Sequence, residues 1–214
     1  MLAGLSAVRA DLVAERPEGE HEDVHFTQAL AEAVVSAYSP RSGWVLDPFA
    51  GYGTTLVASV RLGRRCVGVE LMEHRARSAQ RRLSGAGHIL IGDARRLCHM
   101  LDVQVDLCFT SPPYMSAVGH PENPLTGYTT LDGNYRTYLD ELEDVFRQVA
   151  HLLRPRAYAV INLADTGPGS STPLVADVEA RVSNHLRLEQ RLPVVWDDPP
   201  PGISNDTCLV FRPL

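Results

Sequence analysis

"VLDPFAGYGTT", residues Val45 to Thr55, decides how the rest of the chain is read. An apolar run ends in a carboxylate, Asp47, followed by Pro48 and Phe49, two glycines at Gly51 and Gly53, and helix-forming sequence from Thr54 and Thr55 onward. Glycines at such a turn let the backbone fold tightly and let a ligand approach it. The dinucleotide fingerprint asks for a third glycine where this chain has Leu56, and the Gly-Lys-Ser/Thr of a phosphate loop is missing. An acidic strand end is a poor pyrophosphate site and a good one for a cation or a hydroxyl-bearing ligand.

Outward from that turn, short β-rich runs alternate with helical stretches. "WVLDPF", "CVGVEL", "HILIG", "DLCFT", "AYAVINLA" and "TCLVFR" read as strands, with "TTLVASVRLG", "EHRARSAQRRL" and "YLDELEDVFRQVAHLL" between them as helices. In the last of these Leu139, Leu142, Val145, Phe146, Val149 and Leu152 recur at helical spacing. Strands alternating with helices imply a mainly parallel sheet covered on both faces. The 214 residues suffice for one domain with a full core. No apolar run approaches the roughly 20 residues of a membrane span, and the first twenty residues lack a basic leader, so a cytoplasmic location is expected. The cysteines Cys66, Cys98, Cys108 and Cys208 are isolated and read as buried packing residues, and of the eight His residues only His21 and His25, in "HEDVH", stand four apart. No metal is expected.

Two further strand ends are acidic. "CVGVE" ends in Glu70, followed by Leu71, near the ~20-residue offset at which a carboxylate accepts ribose hydroxyls in such folds. "ILIGDARRL" ends in Asp93, followed by Ala94, where it can meet an adenine amino group. Asp47, Glu70 and Asp93 together resemble the motif set of class I S-adenosylmethionine-dependent methyltransferases, whose cofactor carries a sulfonium, an amino-acid tail, a ribose and an adenine but no phosphate. The resemblance implies a Rossmann-like α/β fold with a mostly parallel seven-stranded sheet.

The second deciding stretch is "TSPPY", Thr110 to Tyr114, directly after "VDLCF". Two prolines in succession stop a strand and stiffen the backbone beyond its end. The space past the carboxyl ends of strands is where ligands sit in open α/β sheets. With "DPFAGYGTT" before "TSPPY", the chain resembles the amino-methylating DNA methyltransferases, over roughly residues 24–163. "HFTQALAEAVVSAYS" looks like that family's N-terminal cofactor motif, adding His25, Phe26 and Thr27 to the expected cofactor contacts; Thr110 joins them from the strand end.

The chemistry accounts for the residue types. An exocyclic base amine is a weak nucleophile because its lone pair is delocalised into the ring. Acceptors aimed at its hydrogens localise that lone pair, and the resemblance gives this role to Ser111 Oγ and the Pro112 carbonyl on the frame that Pro113 completes. Tyr114 offers a face for the extruded base. Ring-carbon methylation of cytosine would need a Pro-Cys pair, which the chain lacks. A serine at the first motif position is typical, within the family, of N(4)-cytosine methylation, and an aspartate of N(6)-adenine methylation.

Size and charge bear on the substrate. A single domain is expected over residues 1–214, with residues 1–22 as an N-terminal extension, the Gly- and Pro-rich residues 115–134 as a substrate loop, and no separate target-recognition domain. Loops longer than about 12–15 residues in compact domains are usually functional or disordered. All 20 basic residues are arginines and the formal net charge is −6, whereas proteins that live on duplex DNA carry a basic face. Nine arginines between Arg61 and Arg96 read as a solvated helix surface. DNA is the expected partner, single-stranded or reached through a partner protein. RNA or a small nucleobase-like amine is the alternative substrate, and a cofactor-binding module with a degenerate site is a third reading.

Overall fold

Five neighbouring strands run parallel in one sheet, and those inside it are apolar on both faces. The computed structural model describes residues 2–17, 26–115, 121–166 and 173–214. Its strands are β1 (Leu5–Ala7), β2 (Trp44–Asp47), β3 (Arg65–Glu70), β4 (His88–Ile91), β5 (Val105–Thr110), β6 (Leu153–Thr166), β7 (Leu186–Trp196) and β8 (Ile203–Pro213). They lie in the order β1-β7-β8-β6-β5-β2-β3-β4. Only β8 runs antiparallel to its neighbours, β6 and β7. The helices are α1 (Arg9–Ala14), α2 (Gln28–Tyr38), α3 (Thr54–Arg61), α4 (Glu73–Leu83), α5 (Leu97–Met100), α6 (Tyr135–Leu152) and α7 (Leu174–Val182).

The mostly parallel sheet with helices on both faces is as expected. It has eight strands where seven were expected. The six runs read as strands each form one, β7 makes the seventh, and β1 is added at the edge, parallel to β7. Within the stretch read as an N-terminal extension, residues 2–17 pack against the fold. Leu5, Ala7 and Leu12 are buried, and Glu15 Oε2 accepts from the Gln28 amide at 2.6 Å, at the start of α2.

The two-residue period of the strands feeds two cores. Leu107 and Phe109 of β5 and Val160 of β6 face Phe26, Leu30, Val34 and Leu56. Cys108, Ala159 and Ile161 face the other way, onto Leu142, Phe146 and Val149 of α6. Each fully buried side chain of this kind contributes about 1.5–3 kcal/mol relative to exposure. All six positions read at helical spacing in α6 are buried, and Asn134 caps its start by accepting from the Thr137 amide at 3.0 Å. One close approach fixes how α3 sits on the sheet. A Cβ at Gly68 would lie 2.7 Å from both Ala50 Cβ and Leu56 Cδ1. Three cysteines are buried as expected, but Cys98 on α5 is exposed.

The order of strands reverses between β2 and β5. From β2 the chain moves to β3 and β4 on one side, and from β5 to β6 on the other. A crevice opens past the carboxyl ends at such a switch point, and it is where ligands bind in open α/β sheets.

Candidate active site

A cavity of about 720 Å³ lies along this carboxyl edge, within the size range of ligand sites. Three stretches read from the sequence line it: Pro48, Phe49 and Gly51 after β2; Glu70 and Leu71 after β3; Asp93 and Ala94 after β4. Ser111, Pro112, Pro113 and Tyr114 line it after β5, and Phe26 joins from the approach to α2. His25 lies outside the described residues.

Glu70 is placed by two backbone donors. Its Oε2 accepts from the Gly51 amide and its Oε1 from the Met72 amide, both at 2.8 Å. Gly51 has φ +51° and open space around it, so the turn brings its amide to the carboxylate without obstruction. A carboxylate has about four lone-pair sites, so one on each oxygen stays open after these bonds.

Other expected contacts turn out to hold the site from behind. Asp47 is buried and does not line the cavity. Its Oδ1 accepts from Thr110 Oγ1 at 2.6 Å and from the Phe49 amide at 3.1 Å, tying the ends of β2 and β5 together. Burial pushes the Asp47 carboxyl up to about 6, against the hydrogen bonds that favour its charged form. Thr27 caps α2, accepting from the Leu30 amide at 3.3 Å. The Thr54 carbonyl accepts from Gln28 Nε2 at 3.4 Å, and Thr55 Oγ1 donates to the Phe109 carbonyl at 3.4 Å. Gly53, at φ +83°, leaves room for α4: a Cβ there would stand 2.9 Å from Ala79 Cβ. These residues shape the wall without facing the ligand space.

Asp93 lines the cavity, but its carboxylate is committed. Arg95 Nε reaches both oxygens at 3.0 Å, Arg95 NH2 takes Oδ2 at 2.7 Å, and the Arg95 amide takes Oδ1 at 2.9 Å. Burial opposes ionisation of Asp93, yet the hydrogen bonds and charge of Arg95 outweigh it and hold the carboxyl below its usual range. Arg95 also pairs with Glu141 at 2.8 Å. Little acceptor capacity remains on Asp93 for an adenine amino group.

The proline frame is rigid and oriented. The Pro113 carbonyl accepts from Tyr138 Oη at 3.0 Å, and Tyr138 is wholly buried on the inner face of α6. Ser111 Oγ lies 3.1 Å from Tyr114 Oη, and Tyr114 Oη donates to the Asn162 carbonyl at 3.4 Å. Either hydroxyl can donate in the first contact; a phenol has one proton, so with Tyr114 giving it to Asn162, Ser111 is the donor and its oxygen keeps its lone pairs as acceptors. Burial, and after it the charge of Asp206, raises the Tyr114 hydroxyl above its ordinary value, which keeps its proton in place.

The far wall was not read from the sequence. Asn162 and Ala164 from β6, Trp196 from the end of β7, Pro200, and Ile203 and Asp206 from β8 line the cavity beyond Tyr114. Asp206 accepts from Trp196 Nε1 at 2.7 Å and from Asn162 Nδ2 at 2.8 Å. Burial raises its carboxyl above the ordinary value. Of residues 115–134, Glu122, Pro124, Leu125, Gly127 and Tyr128 border the same space, and Tyr128 Oη donates to the Tyr114 carbonyl at 3.4 Å; residues 116–120 lie outside the described residues. Among the described residues no group of three or more His, Cys, Asp and Glu is positioned to hold a metal ion, and no helix is long and apolar enough to cross a membrane.

Comparison with known proteins gives a family match over part of the chain and a fold over most of it. Residues 11–81 match the family model described as DNA methylase. Over 65 residues the chain is 48% identical to the Type II methyltransferase M.SmaI of Serratia marcescens, covering 30% of this chain and 22% of that one. Over 74 residues it is 42% identical to a 4-amino-L-phenylalanine/4-methylamino-L-phenylalanine methyltransferase of Streptomyces pristinaespiralis, covering 33% of this chain and 25% of that one. The match thus spans a quarter or less of the length of these relatives. Among solved structures, a TehB-like SAM-dependent methyltransferase from Corynebacterium glutamicum superposes with TM-score 0.58 at 16% identity, covering 86% of this chain and 87% of the other. A geranyl diphosphate C-methyltransferase from Streptomyces coelicolor, in complex with S-adenosyl-L-homocysteine, gives TM-score 0.60 at 13% identity over 100% of this chain and 91% of the other. At these identities the likeness is one of fold.

Proposed function

From a chain that carries DNA methylase sequence in residues 11–81 on the methyltransferase fold, we infer an S-adenosylmethionine-dependent N-methyltransferase acting on a primary amine attached to an aromatic ring. The cofactor fits the residues present. Glu70 keeps an open lone pair on each oxygen at the cavity, suited to two ribose hydroxyls, and no lysine or phosphate loop competes for that turn. Phe26, Pro48, Phe49, Leu71 and Ala94 supply the apolar surroundings, and Gly51 the close backbone. S-adenosylmethionine supplies an electrophilic methyl group when bound.

The observation that carries the reading is the run from Ser111 through Tyr114 to the Asn162 carbonyl. It points the Ser111 proton away from the ligand and leaves Ser111 Oγ as an acceptor for an amine hydrogen. Taking that hydrogen bond draws the amine lone pair out of the ring and toward the electrophile. The group is preorganised, so no reorientation is needed at the moment of reaction. Tyr138, through the Pro113 carbonyl, fixes the frame on which Ser111 stands.

Two carriers of such an amine fit. One is cytosine of DNA, at N(4), with adenine N(6) second. The match to DNA methylases and the serine at position 111 support it. The base would enter extruded or already unpaired. The other is a free aromatic amine. The cavity wall supports this carrier, since Glu70, Asp93, Glu122 and Asp206 face only Arg75 and Arg95 among its described residues, and so does the likeness of a third of the chain to an aminophenylalanine methyltransferase. The test incubates the protein with methyl-labelled cofactor and separate pools of duplex DNA, single-stranded DNA, RNA, nucleosides and simple anilines, and identifies the methylated product by mass spectrometry. Label on a ring amine in any pool upholds the reading; label in none of them, or on carbon or oxygen, refutes it.

A further inference from the structure

The far wall of the cavity holds a carboxylate that the chemistry at Ser111 does not use. Asp206 sits on β8, two strands from β5 across β6. With neighbouring strands about 4.8 Å apart, its backbone stands about 10 Å from the strand that delivers Ser111, and about 19 Å from the strand that delivers Glu70. A ribose held at Glu70 would lie on the opposite side of Ser111 from Asp206. Asp206 therefore faces the end of the substrate space remote from the reacting amine.

The surroundings of Asp206 specify what it would hold. Its two side-chain donors, Trp196 Nε1 and Asn162 Nδ2, are neutral. Among the described residues no guanidinium pairs with it. Burying a carboxylate is costly unless an opposite charge or strong hydrogen bonds offset the lost hydration. A cation entering the cavity would supply that charge. A polynucleotide would do the opposite, because the edge of a base remote from its amine leads to the sugar and its phosphates. Like charges brought together in a partly desolvated site repel strongly. Arg95, a guanidinium on the wall past β4, is already shared between Asp93 and Glu141.

We propose that Asp206, held by Trp196 and Asn162, is a subsite for a positively charged group at the far end of the substrate, and that the substrate is a free aromatic amine carrying a second, cationic nitrogen. Trp196 and Pro200 add apolar surface to the cavity wall on the Asp206 side. This rests on the reading of the cavity as a ring-amine methylation site, and it chooses between the two carriers.

The test compares para-(aminoethyl)aniline with para-propylaniline, a neutral isostere, and with a single-stranded oligodeoxynucleotide containing one cytosine. Affinity is measured by calorimetry with S-adenosylhomocysteine present, and methyl transfer separately under single-turnover conditions. A charge-assisted contact predicts that the charged aniline binds about tenfold or more tighter than the neutral one. Asp206→Asn should bring that ratio near one, and Asp206→Glu, which keeps the charge, should preserve most of it. Equal affinities for the two anilines in the unmodified protein would overturn the subsite, as would a ratio unchanged in Asp206→Asn or tighter binding of the oligonucleotide than of the charged aniline. Charge-selective binding with no methyl transfer to either aniline would leave the subsite standing and count against the proposed reaction instead.

Discussion

Replacing Glu70 with glutamine separates the two tasks the structure gives this carboxylate. In the folded chain Oε2 takes the Gly51 amide and Oε1 the Met72 amide, each at 2.8 Å. A glutamine amide can accept through one oxygen only, so one of those backbone donors faces an NH2 group and loses its partner. A hydrogen bond to a charged group is worth about 1.5–3 kcal/mol, and a stranded donor costs about 1–3 kcal/mol. Glu70→Gln should therefore lower unfolding stability by about 1–3 kcal/mol. The same change removes one of two acceptors open to a ribose diol, so affinity for S-adenosylhomocysteine should fall by about tenfold to a hundredfold. Urea unfolding without ligand reads the first effect, and calorimetric titration well below the unfolding midpoint reads the second. Lost stability with undiminished affinity would mean that Glu70 only braces the turn, and the ribose assignment would be wrong.

Ser111→Ala should leave affinity for S-adenosylhomocysteine unchanged within about twofold while slowing single-turnover methyl transfer on the order of 100-fold, by analogy with the loss of a preorganised oxyanion donor; an undiminished rate would remove Ser111 from the chemistry. Asp47 binds its proton more tightly folded, at about 6, than at its ordinary 3.8, so its contribution to stability is greatest below pH 3.8 and is lost as pH rises to about 6. That loss is about 3 kcal/mol, and Asp47→Asn should abolish this part of the decline when melts of the two proteins are compared across the same pH range. Gly68→Ala places a Cβ 2.7 Å from Ala50 and Leu56. Overpacking of that kind costs about 1–3 kcal/mol, or roughly 2–4 °C of Tm for each kcal/mol in a chain this size, and calorimetric melting checks it.

The half of the cavity built from β2, β3 and β5 could be read in the sequence, because each of those strands ends in a motif whose residues are neighbours along the chain. Glu70 and the Pro112–Pro113 frame are such cases. The sequence places Asp47 at a strand end but does not show Thr110, 63 positions away, drawing its carboxylate inward. Asp93 likewise looks open until Arg95, two residues on, is seen to fold back over it. The far wall was hidden for a different reason. β7 alternates charged residues with apolar ones and contains Pro193, and its weak apolar signal gives no sign that Trp196 and Asp206 converge on Asn162. β1, at three residues, is too short for a period to register, and only its pairing with β7 defines it.

The central claim is that the Ser111–Tyr114 frame presents a ring amine for methylation. Transfer of a carbon-13-labelled methyl group from S-adenosylmethionine, followed by NMR of the product, tests it most directly, because the chemical shift of the methyl carbon reports the atom to which it is bound. The account predicts a single N-methyl resonance on the former primary amine, strongly diminished in Ser111→Ala. A resonance from methyl on carbon or oxygen, or an N-methyl signal of equal strength in Ser111→Ala, would contradict it.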